Sequence, residues 1–350
     1  MASSERAALG EVADAIGLRE GLHGVEDVLR QIHRLGAPPA RALSRRTGLP
    51  VPLVVAICGE LRRLGLVDRR RPPQLTQTGR ELAARLGAVG GIACMCTACA
   101  GSGIALSPAF AMARRRLVEL LRGAPPADPR LDQAHCTVDA KLRRIAYLEE
   151  VGALVGRSIL LLGDDDFIAV AIAVAVSAVG IGLPARLAVV DVDPAVIGFA
   201  RARLSELGMT VELVQHDLRR PLPVELLATF DTVVTDPPYT VAGAELFLSR
   251  AAAALRQGPG GQVMLCFGSK PPDESAALQH LLTGMGFAIY RLIRNFNDYV
   301  GAGVLGGTSH LYHLVGGSQV TGTVRGGFSA PIYTAELRRR PDGIARPWSK

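Results

Sequence analysis

From residue 158 onward the sequence alternates short apolar runs with longer, helix-length segments, and this order restricts the possible folds more than any other feature. Strands that are buried on both faces of a parallel sheet read as continuous apolar runs, and a crossover, usually a helix, joins each to the next. Seven strands are predicted, at residues 158–162, 187–192, 210–215, 232–235, 262–267, 288–294 and 310–315. Four helices are predicted between them, at residues 167–179, 194–207, 241–256 and 275–285. The sequence therefore predicts an α/β fold with a Rossmann-like parallel sheet.

Three aspartates follow the first predicted strand, in the run Gly163-Asp164-Asp165-Asp166. Ligands of open α/β sheets bind at the carboxyl ends of the strands. A dinucleotide would need a glycine-rich turn at this place, because side-chain carboxylates repel a pyrophosphate. A helix cap needs only one of the three acids. The turn therefore predicts a site for a cationic ligand.

Acidic residues also follow the second and third predicted strands. Asp191 ends the second strand, where an acid commonly binds ribose hydroxyls. Asp217 follows the third strand, where its carboxylate could accept a hydrogen bond from an adenine amino group. Either residue could instead cap the helix or turn that comes next. Their recurrence at successive strand ends favours a nucleoside pocket.

The fourth predicted strand ends in the most specific motif of the chain, Thr235-Asp236-Pro237-Pro238-Tyr239. The two prolines restrict the backbone directly after the strand, so that the Asp236 carboxylate and the Tyr239 ring are aimed into one crevice. A carboxylate there can accept hydrogen bonds from an amine and orient its lone pair toward an electrophilic carbon. A purely structural turn is the alternative. We predict that Asp236 is catalytic and that Tyr239 contacts the substrate.

Residues 1–87 have the pattern of a winged-helix domain. The predicted elements are a helix, a turn, a helix, an extended ribbon and a helix, at residues 40–47, 48–50, 51–64, 65–76 and 78–86. The second of these helices carries Val54, Val55 and Ile57 and few polar side chains, which is a poor surface for reading base edges. We therefore expect a packing or dimerising module and a homodimer.

Residues 88–130 are predicted to join this domain to a catalytic domain at residues 131–350. They contain a Cys- and Gly-rich segment, a helix and a proline-rich linker. Cys96 and Cys99 have the spacing of half a zinc site, and no second Cys-x-x-Cys pair completes it. A structural zinc or iron and ordinary free thiols both remain open.

Composition excludes several classes of protein. The 350 residues are 49% hydrophobic and 20% charged, which suits a two-domain globular enzyme. The net charge of +7 is scattered along the chain and does not favour nucleic acid as a partner. Six cysteines without a signal-peptide pattern predict a cytoplasmic location. The uncharged run at residues 167–183 contains two glycines and is predicted to be a buried helix rather than a membrane span.

Two families resemble this set of motifs. The Asp-Pro-Pro-Tyr tetrapeptide is similar to the catalytic motif of amino-group methyltransferases that act on adenine or cytosine. The wider set resembles, more closely, the branched-chain polyamine synthases, which are aminopropyltransferases. The shared pieces are Asp132-Gln133 with Thr137, Gly163 to Asp166, Asp217-Leu218 through Pro223, Thr235 to Pro238, Arg294 to Tyr299, and Cys96 to Gly101. With the preceding winged-helix pattern, the resemblance spans most of residues 30–316.

The resemblance to the synthases implies a methyltransferase-type sheet and decarboxylated S-adenosylmethionine as the donor. It implies a polyamine acceptor such as spermidine, with a branched polyamine and 5′-methylthioadenosine as products. Asp166 and Asp236 are then the catalytic residues, and Asp298 and Tyr299 contact the acceptor together with Tyr239. The donor-binding residues are Gln133, Gly163, Asp164, Asp165, Asp191, Asp217, Leu218 and Pro237.

Electrostatics favours the same donor. S-adenosylmethionine carries a carboxylate that three aspartates would repel, whereas the decarboxylated donor lacks it, and each close charge pair contributes about 1 to 4 kcal/mol. Two alternatives remain: a nucleic-acid amino methyltransferase that stacks a flipped base on Tyr239, and a polyamine- or nucleotide-sensing DNA regulator. We further expect Asp166→Asn to nearly abolish transfer and to leave thermal unfolding almost unchanged, because asparagine keeps the volume and the capping ability and loses the charge.

Overall fold

The computed structural model describes residues 2–88, 99, 103–301 and 306–337. Their contacts divide the chain into two units. The first unit comprises Met1–Gly103, Gly268–Ala277 and Arg294–His310, and the second comprises Ile104–Phe267, Leu278–Ile293 and Leu311–Lys350. The first unit therefore includes two stretches that interrupt the second in sequence, and the contiguous domain boundaries given above stay a prediction.

Five helices form most of the first unit: α1 (Ala2–Ala15), α2 (Gly21–Leu35), α3 (Ala40–Thr47), α4 (Val51–Arg63) and α5 (Gln77–Arg85). Gly48 ends α3 in the left-handed conformation, with a φ of 79°, and its N–H donates to the Ser44 carbonyl at 2.8 Å. The predicted ribbon contains one antiparallel bridge, between Val67 and Leu75. These helices confirm the predicted element order, whereas the winged-helix assignment itself stays a prediction.

The apolar composition of α4 is explained by packing. Val54, Ile57, Cys58 and Leu61 recur at helical spacing and are buried in the core of the first unit, while Val55 is exposed. The apolar side chains of this helix are thus used inside the unit.

A seven-stranded sheet underlies the second unit, and only the last residues of its sixth strand and the first residues of its seventh are assigned to the first unit. Its strands are β1 (Ser158–Leu162), β2 (Arg186–Asp191), β3 (Glu212–Gln215), β4 (Thr232–Thr235), β5 (Gln262–Phe267), β6 (Phe287–Asp298) and β7 (Thr308–Gly316). Their order is β3-β2-β1-β4-β5-β7-β6, and the pairs from β3 to β5 are parallel. All seven predicted strands are present, and the α/β prediction is confirmed. Strand β6 is longer than predicted because it is an edge strand whose many exposed residues interrupt the apolar pattern.

The remaining helices are α6 (Ala111–Leu120), α7 (Val138–Glu150), α8 (Ile168–Val179), α9 (Pro194–Glu206), α10 (Val241–Ala254), α11 (Pro272–Gly284) and α12 (Thr334–Leu337). Helix α8 is buried along its first eight residues, as predicted. In the described part of the chain, no helix is long and apolar enough to cross a membrane. Helix α7 was not predicted.

The core of the second unit packs helix α10 against the parallel strands whose ends carry the predicted motifs. Apolar residues of β1, β2, β4 and β5 pack with those of α10, among them Leu160, Val190, Val233, Leu248 and Leu265. Because β3, β2, β1 and β4 are neighbours and parallel, their carboxyl ends meet at one edge of the sheet.

Candidate active site

A cavity with an empty volume of about 520 Å³, part of it open to solvent, lies at this edge of the sheet. Its lining residues are Leu131, Gln133, Gly163, Asp165, Val190, Asp191, Val192, His216, Asp217, Leu218, Asp236, Pro238, Phe247, Ile332 and Tyr333. Seven predicted site residues are thus brought together: Gln133, Gly163, Asp165, Asp191, Asp217, Leu218 and Asp236. Pro238 lines the cavity where Pro237 was predicted. The roles of these residues stay predictions.

Gly163 begins the acidic turn in a conformation that favours glycine. Its φ is 74°, and its N–H donates to the Val190 carbonyl of the neighbouring strand at 2.8 Å. The turn ends at Phe167, which also has a positive φ, of 55°, and packs its ring on Phe199 at 4.8 Å. This side-chain packing holds the backbone in a sparsely populated conformation, so that the turn has one defined shape.

Asp164 caps helix α8. Its two carboxylate oxygens accept from the backbone N–H groups of Ile168, at 2.6 Å, and Ala169, at 3.1 Å. Burial raises the pKa of Asp164 to about 8. Capping therefore accounts for one of the three acids, and its predicted contact with the donor stays a prediction.

Asp191 organises the loops on either side of it. One carboxylate oxygen accepts from the Asp164 N–H and the other from the Asp193 N–H, each at 2.8 Å. Asp193 in turn caps α9 and accepts from the side chain of Gln133 at 3.1 Å. Carboxylate oxygens have spare lone pairs, so Asp191 can still accept from ribose hydroxyls.

Asp166 lies in a buried ion-pair network. Its carboxylate is 3.2 Å from the Lys141 ammonium and 2.8 Å from the Arg144 guanidinium, and it accepts from the Cys136 N–H. Burial acts to raise the pKa of Asp166, but the two cations outweigh it and hold that pKa below its ordinary value. The side chains of Asp166, Lys141 and Arg144 are all almost fully buried. These contacts replace the expectation that Asp166→Asn leaves unfolding almost unchanged with the opposite prediction, because the change would leave two buried cations undercompensated.

Asp236 belongs to the same network. Arg144 spans the two carboxylates, with one guanidinium nitrogen 2.8 Å from Asp166 and the other 2.8 Å from Asp236. The second oxygen of Asp236 accepts from the Tyr239 hydroxyl at 3.0 Å, and the Tyr239 ring packs against Phe267 at 5.3 Å. The arrangement fixes the direction in which Asp236 faces the cavity.

Asp165 is the acid of the turn that faces the cavity without a side-chain partner in the described part of the chain. Its backbone carbonyl contacts the His135 ring at 2.8 Å, which helps to fix the turn. Burial, followed by the nearby charges of Asp166 and Asp236, raises the pKa of Asp165 well above its ordinary value. A cationic ligand would relieve this charge repulsion.

The two predicted acceptor residues near the end of β6 belong to the first unit. Asp298 forms an ion pair with Arg45, and the Tyr299 hydroxyl lies 2.9 Å from the Ser309 hydroxyl. The contact of Asp298 and Tyr299 with an acceptor stays a prediction.

The structure describes only one of the two predicted metal ligands. Cys96 lies outside the described residues, and Cys99 is described by itself. Among the residues described, no cluster of three or more His, Cys, Asp or Glu side chains could hold a metal ion.

Among the side chains of the site that sequence reasoning missed, three carry charge or a hydroxyl and matter most: Lys141, Arg144 and Tyr333. Lys141 and Arg144 lie on the unpredicted helix α7, where two cations three residues apart on a mostly apolar face were the available signal. Tyr333 lines the cavity from near the end of the described chain, and the glycine-rich sequence before it carries no periodic signal.

Comparison with known proteins gives a consistent set of relatives. A family model described as the branched-chain polyamine synthase A C-terminal domain matches residues 113–323. An uncharacterized protein of Methanocaldococcus jannaschii is 34% identical over 310 residues, which cover 88% of this chain and 77% of the relative. An N(4)-bis(aminopropyl)spermidine synthase of Thermococcus kodakarensis is 34% identical over 259 residues, which cover 73% of this chain and 72% of the relative. The solved structure of the branched-chain polyamine synthase of Thermus thermophilus, in complex with N4-aminopropylspermidine and 5′-methylthioadenosine, has a TM-score of 0.75 at 26% identity and covers 95% of this chain and 98% of that one.

Proposed function

We propose, because this chain belongs to the branched-chain polyamine synthase family, that it transfers the aminopropyl group of decarboxylated S-adenosylmethionine to an amine nitrogen of a polyamine such as spermidine. The products are a branched polyamine and 5′-methylthioadenosine. The names of the relatives and the ligands of the Thermus thermophilus structure support this activity.

One observation carries the choice of donor: the charge of the cavity. Asp165, Asp191, Asp217 and Asp236 line it, and none of the described lining residues is Lys or Arg. A donor with a carboxylate would meet repulsion and find no cation, whereas the decarboxylated donor and a polyamine bring only positive charge. The cavity thus fits both substrates of an aminopropyltransferase.

The geometry also supports a division of labour among the acids. The acceptor nitrogen attacks the methylene carbon next to the sulfonium, the carbon–sulfur bond breaks, and 5′-methylthioadenosine leaves with the bonding electrons on sulfur. The cationic substrates favour the ionised form of Asp165, and its carboxylate then takes the proton of the attacking amine. Asp236, held by Arg144 and Tyr239, orients the amine. Asp166 acts through Lys141 and Arg144, as a positioning residue rather than the residue that contacts the donor.

The alternative of a nucleic-acid amino methyltransferase is not favoured. Tyr239 would have to present its ring to a flipped base, but its hydroxyl is bonded to Asp236 and its ring packs on Phe267. An acidic cavity also repels a phosphate backbone.

The finer parts of the architecture are proposals as well. The strand order of the sheet supports a methyltransferase-type fold. We propose that residues 1–87 form a winged-helix module that packs or dimerises, supported by the burial of the apolar face of α4. A homodimer, a cytoplasmic location and a structural zinc or iron at Cys96 and Cys99 complete the proposal, on the sequence patterns given above.

The experiment that tests the function identifies the nucleoside product. The purified protein is incubated with decarboxylated S-adenosylmethionine or S-adenosylmethionine, each in the presence of spermidine or of DNA, and the products are separated and identified by mass spectrometry. We expect 5′-methylthioadenosine and aminopropylated spermidine, from the decarboxylated donor only. Release of S-adenosylhomocysteine would indicate a methyltransferase, and no nucleoside product would indicate a sensing protein.

A further inference from the structure

The last described residues of the second unit form a largely irregular segment that ends in helix α12, the C-terminal strap (residues 324–337), and it lies beyond the part of the chain that matches the family model. The buried side chain of Arg250 on α10 holds its beginning. The guanidinium donates to the carbonyls of Val324, at 3.1 Å, and Gly326, at 2.7 Å, and also to the carbonyl of Leu218 at 2.9 Å. One arginine thus connects the strap to a residue that lines the cavity.

Further along, the strap is attached to the loop that follows the Asp-Pro-Pro-Tyr motif. The Thr240 hydroxyl donates to the Ile332 carbonyl at 2.8 Å. The carboxylate of Glu336 folds back to accept from the N–H groups of Ile332, at 2.9 Å, and Tyr333, at 3.1 Å. These contacts fix the backbone of the two strap residues that line the cavity.

The strap is also attached to the two other loops around the cavity. Asp132, next to Gln133, accepts from the N–H and the hydroxyl of Thr334, at 2.7 and 2.9 Å. Arg219, two residues after Asp217, forms an ion pair with Glu336 and places its guanidinium 5.1 Å from the centre of the Tyr333 ring. Tyr333 is therefore held on both its backbone and its ring.

The hydroxyl of Tyr333 is left without a hydrogen bond to any described residue, although the residue is only 8% exposed. Burial raises the pKa of Tyr333 to about 12, so this hydroxyl keeps its proton at neutral pH. A tyrosine hydroxyl without a protein partner is available to donate a hydrogen bond to a ligand.

The other side-chain N–H donors of the lining are partly used within the protein. Gln133 donates to Asp193, and the Nε2 atom of His216 is 3.0 Å from the Pro221 carbonyl. The lining acids Asp191 and Asp217 offer acceptors, which suit the hydroxyls and amino group of a nucleoside but not its ring nitrogens or ether oxygen. The Tyr333 hydroxyl supplies a further donor at this cavity.

We infer that Ile332 and Tyr333 of the C-terminal strap form one wall of the nucleoside subsite, and that the Tyr333 hydroxyl donates a hydrogen bond to an acceptor atom of the adenosine group. The inference rests on the proposed function, since it assigns the nucleoside of the donor and of the product to this cavity. It makes Tyr333 a binding residue that the family motifs did not identify.

Calorimetric titration with 5′-methylthioadenosine tests this contact. Tyr333→Phe removes the hydroxyl and keeps the ring, so we expect affinity to fall about five- to tenfold with an unchanged thermal midpoint. The matched control is Tyr312→Phe, another buried tyrosine of the same hydrophobic core that does not line the cavity. It should bind 5′-methylthioadenosine as the wild type does. Donor kinetics should show a raised KM with little change in kcat for Tyr333→Phe, as expected for a contact made equally in the ground and transition states.

The outcomes separate this inference from the proposed function. Wild-type affinity in Tyr333→Phe, or an equal loss in Tyr312→Phe, would overturn the inference and leave the aminopropyl transfer intact. A wild-type protein that does not bind 5′-methylthioadenosine at all would overturn both.

Discussion

At the scale of single residues, Asp165 and Asp166 are neighbours with opposite electrostatic environments. Asp166 is compensated by Lys141 and Arg144, so it favours the charged form. Asp165 has no such partner among the described residues and faces the acidic cavity, so burial and its acidic neighbours favour the protonated form. One acid therefore stabilises the site, and the other is available to a substrate.

Matched asparagine variants should separate these two roles. We expect Asp166→Asn to lower the free energy of unfolding by about 3 to 5 kcal/mol, because it leaves buried cations undercompensated. Asp165→Asn should leave stability unchanged or raise it slightly, while nearly abolishing turnover. Chemical denaturation measures the first effect and release of 5′-methylthioadenosine the second. The assignment is contradicted if Asp166→Asn is as stable as the wild type, or if Asp165→Asn retains full activity.

At the scale of elements, helix α7 supplies the charges that organise the site. Thr137 caps the helix by accepting from the Ala140 N–H at 3.2 Å. Lys141 and Arg144 then lie one turn apart on its buried face, and Arg144 joins the acidic turn after β1 to the Asp-Pro-Pro-Tyr motif after β4. One guanidinium thereby holds the loops that follow β1 and β4 together.

Replacement of Arg144 by lysine tests this connection. A single ammonium cannot reproduce the two separate N–H contacts of a guanidinium. We expect kcat to fall by roughly tenfold to a hundredfold in Arg144→Lys, because Asp236 loses its fixed direction, while the KM for the donor changes little. The control is Arg114→Lys, which alters an exposed ion pair with Asp139 of the same helix and should leave kcat unchanged. Equal kcat values in the wild type and Arg144→Lys would show that Arg144 does not position Asp236.

At the scale of the whole molecule, the buried acids of the second unit should make stability depend on pH. The pKa values of Asp164, Asp165 and Asp191 are raised, above all by burial. The folded protein binds these protons more tightly than the unfolded chain, whose aspartates titrate near pH 4, so their contribution to the free energy of unfolding decreases as pH rises above about 4. Asp166 has the opposite sign, because its lowered pKa adds stability that is lost as pH falls below about 4.

The contribution of Asp165 can be isolated by comparison with its asparagine variant. We expect Asp165→Asn to gain stability relative to the wild type as the pH rises from about 5.5 to about 8, because the wild type alone must ionise a buried carboxyl. Denaturant unfolding of both proteins at each pH measures the difference. If the difference in free energy of unfolding between the two proteins does not grow with pH, Asp165 is already ionised at the lower pH without loss of stability.

Local patterns in the sequence determined the sheet and the acids at its edge. Strands buried on both faces must be apolar throughout, so β1, β4 and β5 are found to the residue, and the acids that follow the strands are drawn together because parallel strands end at one edge. The Asp-Pro-Pro-Tyr motif is likewise local, since its prolines act on their own backbone.

Only the tertiary structure decided the separate contacts of the three aspartates in the acidic turn. Sequence spacing treats Asp164, Asp165 and Asp166 alike, whereas folding gives the first to a helix cap, the last to the cations of α7, and leaves Asp165 facing the cavity. The position of Tyr333 in the cavity wall was equally unpredictable from the sequence. The chain between Asp166 and Tyr333 must fold back on itself before the two residues can lie near one site. Charge pairing and cavity lining depend on such long-range closure, and hydrophobic periodicity carries no information about it.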